Sequence, residues 1–182
     1  NYKNRTIKNA SADTTIALAV DFNSAGEQLT ARTVKEQGKT LIKIDANRLE
    51  VTPERVKHIV DILNSIPQTT LFSEISLNIA GNGIYTMKGK YTQAQVDEFT
   101  YQLLNAVTKS PDLKVEIGSI RTGGQTGFDE AGAKAGMRLG IPTTILAPKG
   151  WKFRDQSGTD ISNEAAFKER FNLTPITTST WS

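Results

Sequence analysis

An α/β fold built on a doubly wound, mostly parallel sheet is what this sequence predicts, and three observations predict it. Short apolar runs alternate with amphipathic stretches of helical period, the helical stretches carry recognisable start and stop residues, and the connections between them are short. Strands separated by helices of this length are βαβ units, whose right-handed crossovers make a parallel sheet with helices on both faces.

The elements follow in order. "TTIALAVDF" (14 to 22) has the apolar density of a strand buried on both faces and ends in the polar turn "NSAG". "AGEQLTARTVKEQGK" reads as a helix with Gly38 as its C′ stop. "TLIKIDA" (40 to 46) is the second strand. "TPERVKHIVDILNSIP" has Thr52 at the N-cap, Pro53 at N1, and closes before Pro67. "EISLNIAG" (74 to 81) is the third strand, and "TQAQVDEFTYQLLNAVTKSP" is a helix capped by Thr92, with Val96, Phe99, Leu103, Leu104 and Val107 as its core stripe. "VEIGSIRTG" is the fourth strand, the alanine- and glycine-rich stretch after it is a helix, and "PTTILAPKG" is the fifth strand. This is a Rossmann-like order of elements. Beyond Lys149 the pattern weakens into a loop, "GWKFRDQSGTD", a short helix, "ISNEAAFKERF", and a tail. The whole reads as a single domain over 1–182, with a polar N-terminal extension over about 1–13 and a C-terminal tail over about 172–182.

Composition bounds the function. The chain has 182 residues, 37% of them hydrophobic and 23% charged, a balance suited to one soluble domain. No run reaches the roughly 20 apolar residues needed to span a bilayer, and "NYKNRTIKNASADTT" has no apolar core of a signal peptide, so a cytoplasmic location and no membrane partner are expected. The formal charge of +3 is spread without a basic block, and nothing in it calls for nucleic acid. With no Cys and a single His58, which lies off the apolar stripe of its helix, thiolate chemistry, a Ser-His-Asp triad and a His- or Cys-based metal site are all disfavoured.

One segment stands out for function. "RTGGQTGFDEAGAKAGMRLGIP" (121 to 142) packs six glycines between the fourth strand and its helix. Ligands of parallel sheets bind beyond the carboxyl ends of the strands. Gly123 and Gly124 would let the backbone approach a ligand, while N–H groups near Gly127 at the helix start would favour phosphate or another oxyanion. Arg121, Thr122, Gln125 and Thr126 would add donors. Gly132, Ala135 and Gly136 instead form a small face for packing against the sheet. The other strand ends join in: Asp21, Asn23 and Ser24 after the first, Gly81 and Asn82 after the third, Lys149 and Gly150 after the fifth. Trp151 or Tyr85 could stack on a base or merely cover the core. The loop is neither G-x-G-x-x-G nor a Walker A sequence.

"TGGQTGFDEAGAKAGMRLGIPTTILAPKGW" resembles the S/T-G-G-Q-T-G-x-D stretch, alanine-rich helix, "LGIP" and "PKG" of the putative molybdenum-cofactor carrier proteins, within the SLOG superfamily of Rossmann-like nucleotide-ligand binders. The close resemblance covers about 30 residues. It implies that Gly123, Gly124, Gln125, Thr126, Gly127 and Asp129 line an anion or nucleotide site closed by Lys149 and Gly150. It also implies a nucleotide or molybdopterin-type ligand and homodimer pairing through helices. The chain differs in placing about 110 residues ahead of the motif, and the P-G-G-x-G-T-x-x-E of the superfamily's phosphoribohydrolases is not present as such. The leading expectation is therefore a carrier, sensor or sequestering domain for a phosphate-bearing nucleotide. The alternatives are an N-glycosidic hydrolase working through Asp129 or Glu130, of which at most one can face a site because helix neighbours point about 100° apart, and an interaction domain of a larger phage or mobile-element protein.

Overall fold

The computed structural model describes residues 2–67, 74–171 and 178–181, with backbone only for Tyr2 and 178–181. Its centre is a parallel sheet of six strands: β1 (Thr14–Ala19), β2 (Thr40–Asp45), β3 (Glu74–Gly81), β4 (Glu116–Gly123), β5 (Thr143–Leu146) and β8 (Thr178–Trp181), in the order β2-β1-β3-β4-β5-β8. The chain winds one way from β1 to β2 and the other way from β3 onward. The topological switch point therefore lies between β1 and β3.

The helices have the expected starts and stops. In α2 (Ala25–Glu36) Ser24 is the N-cap, and Gly38 follows the end at φ +67°. Thr52 caps α3 (Pro53–Ser65), and Thr92 with Gln95 forms a reciprocal capping box on α4 (Gln93–Thr108). The fourth expected helix is α5 (Phe128–Arg138).

Register divides the sheet into two unlike faces. Pairing sets Ile16 beside Ile42 and Ile79, Leu18 beside Ile44, and Leu77 beside Ile120, so these large side chains share one face. They form one buried cluster with Ile59, Val60 and Leu63 of α3, Phe99, Leu103 and Leu104 of α4, and Phe128, Ala131 and Ala135 of α5. The opposite face carries Thr15, Ala17, Ser76, Asn78, Ala80, Ser119 and Arg121. There α2 packs with buried Glu27, Thr30, Thr33 and Val34, a mostly polar set that suits a polar sheet face.

Three parts of the chain differ from the sequence reading. The polar extension is in fact a helix, α1 (Tyr2–Ala10), lying on α2 and β4. Arg121 holds it there by donating to Lys8 O at 3.1 Å and to Ser11 Oγ at 3.0 Å, and Gln37 Nε2 donates to Ile7 O. The expected loop after Lys149 contains a hairpin, β6 (Lys152–Arg154) with β7 (Asp160–Ser162), closed by a turn in which Asp155 accepts from Ser157 N and Thr159 N. A short helix, α6 (Glu164–Glu169), follows as expected. In the tail, residues 172–177 and 182 lie outside those described, while Thr178–Trp181 adds the edge strand β8. Each missed element is too short or too polar to show a period on its own.

Around α6 a second cluster joins Phe153, Phe167 and Phe171 with Ala133 of α5 and Ile145 of β5. The Arg170 guanidinium lies within 4.7 Å of all three ring centres and reaches Glu130 Oε1 and Gly124 O. Among the described residues no helix is long and apolar enough to cross a membrane.

The small face of α5 works as packing. A β-carbon on Gly132 would stand 2.5 Å from Ile79, and one on Gly136 would strike Thr143 Oγ1. Gly132→Ala should therefore cost about 1–3 kcal/mol through overpacking, although alanine favours a helix by about 1 kcal/mol over glycine. Urea unfolding measures the difference; an equal or higher unfolding free energy would remove this account of the glycine.

Candidate functional site

At the switch point a cavity of about 490 Å³ opens beyond the carboxyl ends of β1, β3 and β4. Its walls come from α1, the start of α2, the end of β3, the β4–α5 loop and the β6–β7 hairpin. The inner residues are polar and buried: Asn9, Glu27, Thr30 and Asn78. The outer ones, Lys152, Arg154 and Asp160, are exposed. Arg154 Nε meets Asp160 Oδ1 at 2.8 Å and Lys152 Nζ meets its Oδ2 at 3.3 Å, so two cations share one carboxylate and the rim keeps a net positive charge.

Of the residues expected from sequence, Ser24, Gly81, Asn82, Gly123, Gly124, Gln125, Thr126 and Asp129 line this cavity. Asp21, Asn23, Arg121, Thr122, Gly127, Glu130, Lys149 and Gly150 do not, and each has a structural position instead. Asp21 caps its own turn by accepting from Asn23 N, and Lys149 and Gly150 are exposed. Thr122 is fully buried on the apolar face, and Arg121 anchors α1. Gly127 adopts φ +81°, where a β-carbon would collide with Asn82 O, so only glycine fits this turn. Tyr85 lines the cavity, whereas Trp151 packs edge-on against Phe167 at 5.4 Å.

The glycine loop differs from the expected anion cradle. Gln125 N donates to the Asp129 carboxylate, Thr126 N to Gln125 Oε1, Gly127 N to Gln93 Oε1 and Phe128 N to Asn82 O. Four successive donors leading into α5 are thus taken by the protein. At Gly124 the Phe167 ring fills the place that a side chain would take, so the lack of a β-carbon there serves packing. The loop instead forms a wall and a clasp. Gln125 Oε1 accepts from Arg154 N at 2.8 Å, and Thr126 Oγ1 donates to Arg154 O at 2.6 Å, fixing the hairpin over the cavity.

Adjacent carboxylates go to opposite fates. Glu130 points away from the cavity into ion pairs with Lys134 and Arg170, each at 2.8 Å. Asp129 turns toward the cavity, where burial and the facing Glu27 push its pKa up to about 7. Glu27 is likewise raised to about 7, chiefly by burial, while a 3.5 Å hydrogen bond from Asn82 Nδ2 opposes the shift. The site's second carboxyl is therefore Glu27, not Glu130. Sequence reading passes over Glu27 because Ser24-x-x-Glu27 has the form of a helix capping box; its backbone N–H does bond Ser24 Oγ, but its carboxyl faces inward. Asn78 had a readable signal, a lone amide inside the apolar run "EISLNIAG". Arg5 and Asn9 belong to α1 and had none.

Among the described residues no group of three or more His, Cys, Asp or Glu side chains is placed to hold a metal ion. A cavity with two carboxyls of raised pKa inside and cations outside can bind a polar ligand end-on, or exchange protons with it.

The raised pair has a consequence for stability. A carboxyl whose folded pKa lies above its unfolded value of about 4 contributes stability that is full below that value and is lost as pH rises toward 7. Asp129→Asn should therefore be more favourable to stability at pH 8 than at pH 5, by about 1–3 kcal/mol. Glu130→Gln, which removes the carboxylate paired with Arg170 and leaves Lys134 with Asp97 alone, should cost about 2–4 kcal/mol at both pH values. Chemical denaturation of both variants at pH 5 and pH 8 tests the pair; identical pH dependence in wild type and Asp129→Asn would refute the assignment.

Compared with known proteins, the chain matches no family model, no curated protein and no solved structure.

Proposed function

We propose that the switch-point cavity binds a phosphate-bearing nucleotide or nucleotide-like cofactor, making the protein a carrier, sensor or sequestering domain. The observation that carries this reading is the polarity of one cavity at the fold's ligand-binding edge, cationic at its rim and hydrogen-bonding within. The phosphate belongs at Lys152 and Arg154 on the hairpin, with Arg5 of α1 on the same cavity, because the N–H groups of Gln125, Thr126, Gly127 and Phe128 are already bonded. Tyr85, one of two aromatic residues lining the cavity with the buried Phe153, is the ring against which a base can stack.

In calorimetric titrations, AMP and ribose 5-phosphate are expected to bind the wild type, with affinity falling as salt increases. The double variant Lys152→Ala, Arg154→Ala should weaken both by about tenfold or more, the scale of charge-assisted hydrogen bonds to phosphate. Unchanged affinity in that variant would remove the phosphate from the rim.

The raised pKa of both Glu27 and Asp129 favours a second reading, hydrolysis of an N-glycosidic bond. One carboxylate would take a proton from water as its oxygen bonds to the sugar carbon; the other would protonate the departing base as the carbon–nitrogen bond breaks. Wild type incubated with AMP would then release adenine over many turnovers, and Glu27→Gln or Asp129→Asn would slow release by about 10²-fold. Intact nucleotide after prolonged incubation would leave the binding reading alone.

A further inference from the structure

Three buried acceptor oxygens on residues that line the cavity have no hydrogen-bond partner: Asn9 Oδ1, Glu27 Oε1 and Asn78 Oδ1. Their residues are 6%, 8% and 2% exposed, all three line the cavity, and they come from three separate elements, α1, α2 and β3. Buried polar atoms are nearly always paired, so three lone acceptors around one space mark a place completed by something else. Two of these side chains are already held from behind. Asn78 Nδ2 donates to Thr15 Oγ1 at 3.2 Å, and Glu27 Oε2 accepts from Asn82 Nδ2. Asp129 adds a fourth acceptor: a β-carbon on Gly123 would stand 2.5 Å from Asp129 Oδ2 and 3.9 Å from Asn9 Nδ2, so the two side chains flank the same stretch of backbone.

A group that completes this set must bring hydrogen-bond donors, and a phosphate dianion brings none. A ligand cation would meet the field of Arg5, which acts on Asp129 from the same cavity. Hydroxyl groups meet neither difficulty, since each donates one proton and carries no charge. Resting on the nucleotide reading above, we propose that Asn9, Glu27, Asn78 and Asp129 form a sugar subsite that accepts the hydroxyl protons of a pentose ring, with the phosphate directed outward to Lys152 and Arg154. Selectivity then resides in the buried acceptors, and the ligand enters sugar first.

The test compares AMP with 2′-deoxy-AMP and 3′-deoxy-AMP, and ribose 5-phosphate with 2-deoxyribose 5-phosphate, by calorimetric titration of wild type, Glu27→Gln and Asp129→Asn. At least one deoxy position should weaken wild-type binding by about tenfold or more, because it leaves a buried acceptor unpaired in the complex. That gap should shrink to within about threefold in Glu27→Gln or Asp129→Asn. Equal wild-type affinity for ribose and both deoxy forms would overturn the sugar subsite while leaving phosphate binding intact, as would a gap that survives in both variants. Failure of every phosphate-bearing probe to bind would overturn the sugar subsite and the nucleotide reading together. The wild-type comparison stands even if a variant does not fold.

Discussion

Ile16, Leu18, Leu77, Ile79 and Ile120 project from one face of the sheet, while Thr15, Ala17, Asn78, Ala80 and Ser119 project from the other, and this division constrains everything built around it. Fully burying a large aliphatic side chain contributes roughly 1.5–3 kcal/mol, so the first face demands close cover by helices. Three amphipathic helices, α3, α4 and α5, meet that demand. The second face offers little apolar area and takes α2, whose own buried side is mostly threonine and glutamate, together with the polar α1. Short side chains under two polar helices leave volume, and at the carboxyl ends of β1, β3 and β4 that volume becomes the cavity.

The same asymmetry sets the chemistry of the site. Burial disfavours ionisation of both Glu27 and Asp129, and the Glu27 charge adds to the effect on Asp129, which is a cost to the folded protein at neutral pH. Close by, the buried Glu130 has Lys134 and Arg170 at its two oxygens. Helical geometry alone separates the two roles: consecutive residues in the first turn of α5 point about 100° apart, one toward the polar cavity and one toward the aromatic cluster around α6. The Glu130–Arg170–Gly124 connection then ties that cluster to the loop bordering the cavity. Through Gln125 and Thr126 the loop also clasps the β6–β7 hairpin, so the cavity's outer wall is held by side chains from its inner one.

Much of the fold was legible because its signals are local. Thr52 followed by Pro53, Thr92 followed three residues later by Gln95, and Gly38 after α2 act within one helical turn, and all three stand where the pattern puts them. The apolar runs of β1 to β5 alternate with helices long enough only for parallel crossovers. The hairpin and β8 escaped because their three- or four-residue strands are short and mostly polar, unlike the more apolar four-residue β5. The helix α1 escaped because its polar sequence has little apolar stripe; neighbours that are remote in sequence, Arg121 and Gln37, hold it.

What the sequence determined by itself is the order of elements, the parallel winding and hence the edge of the sheet where a site lies, since each follows from hydrophobic period, capping residues and crossover handedness. It also determined that Gly132 and Gly136 face the sheet, because helical spacing puts them on one side. Only the tertiary structure decided which polar residues share the cavity. Asn9, Glu27, Asn78 and Asp129 lie on four elements spread over more than a hundred residues of chain, and no local pattern relates them. Tertiary packing likewise decided the use of the glycine loop: Gln93, Asn82 and Phe167, all distant in sequence, take the donors and the space that its composition had offered to a ligand.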